Sequence, residues 1–400
     1  METIKLDNGL SVVYVRTSRK YSVCLSVNVG HVNEPALGIA NLFERTLLQQ
    51  LNGIIPIFGG TMTAYTSGGD ELDAIFEKMH HLFNKSLLTG EYIEKAKKLI
   101  TEQTYDMAPM TMRRMKLAYK HIAFSADLVK TTEEYLNAVN SYTIEDIMEF
   151  ANKYYTAKNL YLIVSGPEVS ELELKKLAEE YFGDIPSGRE NPYIIGNIYT
   201  GGFDRIEVKE ETTRLMVGWD ITHLCINNSP ATNVMMSMFL RCMERAYVDA
   251  GFKDVQVDFK VAGYYGLRTM RAYVSSSSHN AKELLNVLIE TINRICEVEA
   301  PIHRLESSRN IAMTEKLDKY EKSDNRALET AWQIIGRGSM YDVANRINSI
   351  YKITAEDVMD IANEVFRRSR PSYIVASPEG DNEYYSLEYL MKAIKTDPGK

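Results

Sequence analysis

The sequence contains few cysteines, and their positions do not form a metal-binding or redox pattern. There are four in 400 residues, and no C-x-x-C pair occurs. They lie far apart in apolar surroundings, at Cys24, Cys225, Cys242 and Cys296. Scattered cysteines of this kind are typical of reduced, structural thiols, which suits a cytoplasmic protein.

Long apolar runs are also absent. No stretch approaches the roughly 18 uncharged apolar residues that a membrane-spanning helix needs. The N-terminal sequence 1–9 has no basic segment followed by an apolar one, so we expect no signal peptide. The sequence therefore predicts a cytoplasmic protein with no membrane partner.

Positive charge is not in excess. The chain has 46 Lys and Arg against 54 Asp and Glu, and its formal net charge is −8. Because nucleic-acid phosphates must be met by clustered Lys and Arg, we expect no nucleic-acid partner. A hydrophobic fraction of 45% and a charged fraction of 25% are those of a soluble globular protein. The length suits two domains of about 200 residues each better than one core.

An internal repeat is the clearest feature that the sequence does contain. The segment TIEDIMEFAN at 143–152 is echoed by TAEDVMDIAN at 354–363, and IVSGPE at 163–168 is echoed by IVASPE at 374–379. Both matches have the same offset, with no gap between them. In each copy a Thr precedes acidic residues and helically spaced apolar residues, and an apolar strand ending at Pro follows. This pattern predicts a tandem duplication, with the join between residues 185 and 202.

Periodicity predicts the remaining elements. In the first half we expect strands at 10–15, 23–29 and 61–66, and helices at 37–51, 72–87, 91–106 and 112–124. In the second half we expect strands at 214–219, 255–261 and 267–274, and helices at 235–248, 281–298 and 301–336. Such mixing is typical of the α+β class. We predict two homologous domains, 1–190 and 200–400, each a mixed, mostly antiparallel sheet with helices packed on one face.

Several short motifs, taken in order, resemble a known family. They are LDNGL at 6–10, VNVG at 27–30, Glu34, GIA at 38–40, the glycine pair 59–60 and AYTS at 64–67. Together they resemble the N-terminal half of the pitrilysin/insulinase family of zinc peptidases, in its mitochondrial-processing-peptidase-like branch. The repeat extends the resemblance over nearly the whole chain. It implies paired domains that enclose a peptide-binding chamber.

The resemblance also implies where a zinc site would lie, and this sequence departs from it there. The family uses H-x-x-E-H, in which two His bind zinc and the Glu acts on the zinc-bound water. Here the matching positions read Asn41-Leu42-Phe43-Glu44-Arg45. Only Glu44 is kept, and Arg45 cannot ligate because it stays protonated. The third ligand would fall near Glu102 or Gln103.

We therefore predict no zinc and no catalysis in this chain alone, with Asn41, Glu44, Arg45 and Glu102 as relic positions. A corollary is that Arg45 occupies the vacant site and pairs with Glu44 or Glu102. An alternative metal pair, His81 with Glu77 beside His80, is weak because adjacent helix residues point about 100° apart. The serines 275–278 have no flanking elbow glycines and are interpreted as a strand-end loop.

The resemblance implies one substrate-binding element in the second half. Active members hold the substrate with an Arg and a Tyr seven residues apart, and Arg245 and Phe252 match that pair with the hydroxyl lost. The other interpretation is that Arg245 forms only a surface ion pair.

Three hypotheses of function follow. The first is a non-catalytic subunit that pairs with a zinc-bearing homologue, or with itself as a homodimer, to bind and process peptides. The second is a structural or peptide-binding dimer without protease activity, and the third is a metallopeptidase with an atypical site.

Overall fold

The structure is a computed structural model of the chain. It describes all residues except 1, 18–19, 59, 61, 108–109, 125–129, 193–197, 227–229, 265–266, 322, 338–342 and 398–400. Within the described residues, no helix combines the length and the apolar character needed to cross a membrane.

Eleven strands and fifteen α-helices are described. The strands are β1 (Glu2–Lys5), β2 (Ser11–Arg16), β3 (Tyr21–Val27), β4 (Ile55–Phe58), β5 (Thr63–Gly69), β6 (Leu160–Gly166), β7 (Gly202–Val208), β8 (Thr213–Asp220), β9 (Gln256–Tyr264), β10 (Leu267–Ser276) and β11 (Ser372–Pro378). The helices are α1 (Ile39–Leu48), α2 (Leu72–His80), α3 (Gly90–Met107), α4 (Thr111–Ala123), α5 (Thr132–Ser141), α6 (Ile144–Tyr154), α7 (Glu171–Phe182), α8 (Thr222–Ile226), α9 (Pro230–Asp249), α10 (Ala281–Glu297), α11 (Ile302–Glu321), α12 (Ser323–Arg337), α13 (Val343–Tyr351), α14 (Ala355–Phe366) and α15 (Leu387–Ala393).

The first compact unit contains a six-stranded sheet in the order β1-β2-β6-β3-β5-β4. Only β2 and β6 run parallel, and the other neighbours are antiparallel. Helices α1, α2 and α6 supply apolar side chains to one core, in which the rings of Phe43 and Tyr155 lie 4.4 Å apart and those of Phe76 and Phe182 lie 5.3 Å apart. The Phe43–Tyr155 contact packs α1 against the end of α6, and the Phe76–Phe182 contact packs α2 against α7.

The second unit contains a five-stranded sheet in the order β7-β11-β8-β10-β9. Again one pair, β7 with β11, is parallel, and the others are antiparallel. Its core centres on Trp219, whose ring meets that of Phe366 edge-on at 4.8 Å, and Phe239 packs 4.7 Å from Phe366. The predicted α+β class, with mixed and mostly antiparallel sheets, is confirmed.

The repeated segments occupy equivalent places in the two sheets. Helix α6 begins with a capping box between Thr143 and Asp146, and α14 begins with the same box between Thr354 and Asp357. Strand β6 lies between a parallel and an antiparallel neighbour, and so does β11. The gapless repeat therefore corresponds to one helix–strand unit used twice.

The two units differ from the predicted domains by an exchange of helices. Residues 107–129, which include α4, group with the second unit, and residues 317–341, which include α12, group with the first. Each helix covers the sheet face opposite the main core: α12 packs on β3, β5 and β6, and α4 packs on β7 and β11. Each sheet thus carries helices on both faces, where the sequence predicted one. Periodicity identifies the apolar side of a helix but not the sheet that this side will meet.

A glycine in β8 makes room for α4. The side chain of Tyr119 is fully buried, and a Cβ placed on Gly218 would lie only 2.1 Å from the Tyr119 hydroxyl oxygen. Any larger residue at 218 would have to displace that ring. The close approach ties α4 to the second sheet, and Tyr199 adds a hydrogen bond of 2.8 Å from its hydroxyl to the Gly218 carbonyl.

Candidate functional site

Helix α1, which carries the relic motif, is held at its N-terminus by a carboxylate. The backbone N–H groups of Gly38 and Ala40 donate to the two Glu34 carboxyl oxygens at 2.7 and 2.9 Å. Gly38 has a φ of 81°, and a Cβ there would lie 2.8 Å from Tyr135 and Val139 on α5. Both the positive φ and the close contact with α5 require glycine at this position, so Gly38 determines where α1 begins. Burial raises the pKa of Glu34 to about 7, although both N–H donors act in the opposite direction.

Asn41, at the first histidine position of the family motif, has a structural partner. It is half-buried, and its Nδ2 donates to the Tyr135 hydroxyl at 2.7 Å. The contact joins α1 to α5 and directs the donor end of the amide toward that tyrosine. An amide nitrogen has no free lone pair for a metal, so the Asn41 nitrogen does not replace an imidazole.

Glu44 is buried without a partner for one of its carboxyl oxygens. Its side chain is only 4% exposed, and Oε2 lacks any hydrogen bond in the described part of the chain. Burial raises the pKa of Glu44 to about 7, and the positive charge of Arg45 partly opposes this shift. Nearby lies a pair of buried hydroxyls, Tyr65 and Tyr155, joined at 2.5 Å. The charge of Glu44 adds to burial in raising the pKa of both tyrosines.

Arg45 does not pair with either predicted acid among the described residues. It is half-buried, and its Nε has no hydrogen-bond partner there. Glu102 is exposed and lies 3.8 Å from Lys98 on its own helix. The corollary that Arg45 pairs with Glu44 or Glu102 is therefore wrong. The buried side of α3 is formed by Ile93, Ala96, Ile100 and Thr104, so Glu102 and Gln103 lie on the exposed side.

The donor set at these positions does not fit a zinc ion. Of the residues at the motif, Asn41 is engaged with Tyr135, Arg45 is a cation and Glu102 is on the solvent side. Glu44 alone offers a carboxylate, and a zinc site needs three protein ligands at least. Across the described residues no cluster of three or more His, Cys, Asp or Glu side chains is placed to hold a metal.

A cavity of about 420 Å³ lies beside α1 and includes the two adjacent histidines. His80 makes a hydrogen bond through Nδ1 to the Tyr181 carbonyl, whereas His81 is exposed. Phe43, Leu47 and other apolar side chains form most of the wall. The geometry thus gives His80 a structural role in the packing of α2 against α7.

The serine run lies at the end of β10, with Ser275 and Ser276 in the strand and Ser277 and Ser278 in the bend that follows it. The Asp254 carboxylate accepts bonds from the Ser276 hydroxyl at 2.9 Å, from the Ser277 hydroxyl at 2.8 Å and from the Ser278 N–H at 3.0 Å. These donors hold the pKa of Asp254 well below its usual range. The serine hydroxyls donate to Asp254, and the lowered pKa of that carboxyl makes it a poor base for activating either of them as a nucleophile.

In the second unit, Arg245 and Phe252 have separate surroundings. Arg245 is exposed on α9, and its Nε lies 2.8 Å from the Asp249 carboxylate one turn later. Phe252 stacks on His279 with ring centroids 3.9 Å apart and meets Tyr247 edge-on at 5.5 Å. The surface ion pair considered for Arg245 does form. Its role toward a substrate stays a prediction.

A pocket of about 310 Å³ beside Arg245 contains residues that sequence reasoning missed. Arg241, one turn before Arg245, and Arg304, from the first turn of α11, line it together with His303. The signal available in the sequence was the spacing of Arg241 and Arg245, which places both on one side of a helix. Arg304 lies about sixty residues further along and reaches this pocket only through the packing of α11 beside α9.

Comparisons with known proteins agree with this architecture. Residues 141–312 match the family model described as Peptidase M16 inactive domain. An "Uncharacterized zinc protease" of Rickettsia felis is 22% identical over 93% of this chain and 96% of its own length. The resemblance to the pitrilysin/insulinase, or M16, family is thereby confirmed.

Solved structures share the fold along almost the whole chain. A chain of complex III2 from Candida albicans has a TM-score of 0.82 at 13% identity, covering 98% of this chain and 99% of its own. A protease from Helicobacter pylori has a TM-score of 0.80 at 16% identity, covering 94% of this chain and 99% of its own.

Proposed function

We propose that this relative of the M16 zinc peptidases is a non-catalytic subunit that pairs with a zinc-bearing homologue to bind and process peptides. The observation that carries the proposal is the state of helix α1. Asn41 is engaged by Tyr135, Arg45 contributes a cation and Glu44 is buried beside two tyrosines. The helix has kept its place in the core while its side chains have lost the chemistry of a metal site.

Glu44 by itself does not supply a hydrolytic base. A carboxylate becomes an effective base in this family only beside a metal-bound water, whose own pKa the metal lowers. In this chain Glu44 has a pKa of about 7, so a large fraction is protonated at neutral pH. A pKa near the working pH is compatible with a general base, so what Glu44 lacks is the metal-bound water and not the basicity.

A structural or peptide-binding dimer without protease activity is the second candidate. One matched chain, of almost the same length, comes from complex III2 of Candida albicans, and another comes from a protease. The fold therefore occurs both in a protein described as a complex and in a peptidase. The two candidates differ in whether the native partner carries zinc and cleaves peptides.

The purified chain alone is expected to contain no stoichiometric zinc and to hydrolyse no peptide. The physical reason is that two of the three ligand positions carry side chains that do not bind zinc, and Glu102 faces solvent. Elemental analysis of the chain, combined with an assay on a mixture of fluorogenic peptides, measures both. About one zinc per chain, lost on Asn41→Ala with Arg45→Ala, would contradict the proposal.

Copurification from the native host tests the partnership. We expect recovery of a homologous chain with an intact H-x-x-E-H motif, and peptide hydrolysis by the pair only. Recovery of a self-associated protein with no hydrolytic partner would support the structural dimer instead. A protein that remains monomeric at micromolar concentration and recovers no partner would contradict both candidates.

Within an active pair, Arg245→Ala is expected to lower peptide turnover by a free energy on the order of 1.5–3 kcal/mol. Arg245 is exposed and held in place by Asp249, so its remaining N–H donors are free to meet a peptide carbonyl. The matched control is Lys352→Ala, which removes an exposed cation from the same unit. If the two changes lower turnover equally, Arg245 is not part of the substrate site.

A further inference from the structure

Three guanidinium groups line one small pocket between α9 and α11. Arg241 and Arg245 come from α9, and Arg304 comes from the first turn of α11, with His303 beside it. The pocket has a volume of about 310 Å³, which is at the lower end of the range for small-ligand sites. It has room for one polar group or a side chain rather than for a whole cofactor.

Two of these arginines have only neutral partners. Arg241 donates through NH1 to the Ser307 hydroxyl at 2.6 Å, and Arg304 donates through NH1 to the Cys242 sulfur at 3.8 Å. In the part of the chain that the structure describes, neither forms an ion pair with a carboxylate, whereas Arg245 pairs with Asp249. A guanidinium has five N–H donors, so most donors of Arg241 and Arg304 remain available.

The remaining groups around the pocket do not neutralise this charge. Burial raises the pKa of the Cys242 thiol, although Arg304 acts in the opposite direction, so the sulfur stays protonated at neutral pH. His303 and Arg304 lie in the first turn of a 20-residue helix, where the positive end of the dipole adds to the guanidinium charge.

We propose that the α9–α11 pocket binds the carboxylate of an acidic side chain of the bound peptide, so that the protein selects peptides carrying Asp or Glu. The planar fork of Arg matches a carboxylate through two parallel N–H···O bonds. Arg241 and Arg304 line the pocket from two helices, and we expect each to bind one carboxylate oxygen. The inference rests on the proposed function, because it names the class of peptide that the same subunit would hold.

Peptide binding to the full chain tests the pocket. Three labelled peptides of one length differ at a single central residue, which is Glu, Gln or Lys, and fluorescence anisotropy gives their dissociation constants. We expect the Glu peptide to bind about ten-fold more tightly than the Gln peptide, and the Lys peptide to bind most weakly. Added salt should weaken the binding of the Glu peptide more than the binding of the Gln peptide, since salt screens exposed charges.

Variants distinguish the effect of the pocket arginines from the effect of positive charge elsewhere on the unit. Arg241→Gln with Arg304→Gln should lower the affinity for the Glu peptide to that for the Gln peptide and so abolish the preference. Arg241→Lys with Arg304→Lys should restore part of the preference, because Lys keeps the charge but not the fork. The control is Lys352→Gln with Lys392→Gln, which removes the same amount of charge from exposed positions of the same unit. This control should preserve the preference for the Glu peptide.

The outcomes distinguish this inference from the proposed function. Equal affinity of the unaltered chain for all three peptides would overturn the acidic preference and leave a peptide-binding subunit intact. Failure of every peptide to bind, with and without the zinc-bearing partner, would overturn both. Inorganic phosphate serves as a second probe of the same chemistry. If phosphate saturates the pocket and the Glu peptide does not bind there, the pocket is a site for a free anion and the proposal is overturned.

Discussion

Replacing Tyr119 with alanine is expected to lower the free energy of unfolding of the second unit by about 3–5 kcal/mol, the usual cost of deleting a buried aromatic ring. Tyr119 is fully buried on α4, between Gly218 of β8 and the guanidinium of Arg271, whose carbon lies 5.2 Å from the ring centroid. The ring of Phe124 lies 6.5 Å away. Removing the ring would leave a cavity where Gly218 provides no side chain to fill it.

Urea unfolding combined with hydrogen exchange measures this effect and locates it. Exchange is needed because a chain of two units does not have to unfold in one step. We expect faster exchange in β7, β8 and β11, with the strands of the first unit unchanged. Gly218→Ala should weaken the same strands, since its Cβ would clash with the Tyr119 hydroxyl.

The matched control is Tyr105→Ala on α3. Tyr105 is 62% exposed, so its removal should change the free energy of unfolding by no more than about 0.5 kcal/mol. If Tyr119→Ala costs no more than this control, α4 is not part of the core of the second unit. In that case the exchange of helices between the two halves of the sequence would be wrong.

The repeated helix–strand units could be predicted from the sequence because their signals are local. A Thr followed three residues later by an acid forms the capping box at both Thr143 and Thr354. Apolar residues at helical spacing and a short apolar strand ending at Pro then follow within about twenty-five residues. Nothing distant is needed to specify these elements, so one copy predicts the other.

The exchanged helices could not be predicted, because their partners are far away in the sequence. Helix α12 buries Ala327 and Ala331 against strands that precede it by more than a hundred residues. Its apolar spacing also continues that of α11, so periodicity predicted one helix over 301–336. The strands β1 and β4 were missed for a different reason: each has four residues, too few to show an alternation.

The candidate site was only partly predictable. Asn41, Glu44 and Arg45 were placed correctly on α1 because one short motif fixes their register. For the third ligand, the resemblance indicated only a position near Glu102 or Gln103 on α3, and both residues lie on the exposed side of that helix. The arginine pocket is formed by two separate helices, and only the packing of α11 beside α9 reveals it.

Glu44→Gln is expected to raise the free energy of unfolding by about 2–3 kcal/mol at pH 8. The Glu44 carboxyl is buried and one oxygen lacks a partner, so its ionised form is disfavoured in the folded protein. Glutamine has nearly the same shape and carries no charge. The substitution therefore removes the cost of burying a carboxylate while the packing is preserved.

The sign of the pH dependence follows from the two pKa values. The pKa of Glu44 is about 7 in the folded chain, against an ordinary value of 4.5 for a glutamate carboxyl. Between these values the folded state binds more protons than the unfolded state, so stability falls as pH rises through that window. The penalty is absent below about pH 4.5 and complete above about pH 7. The advantage of Glu44→Gln should therefore grow over the same window and then become constant.

Urea titrations of both chains at a series of pH values give this difference directly. Glu34, whose pKa is also raised to about 7, contributes a slope of the same sign to both chains and cancels in the subtraction. Glu102→Gln is the control, because Glu102 is exposed and should leave the curve unchanged. A Glu44→Gln chain that is less stable at pH 8 would mean that ionised Glu44 is stabilised in the folded state. The cation available for that is Arg45, so this result would restore the Arg45–Glu44 ion pair that the structure does not show.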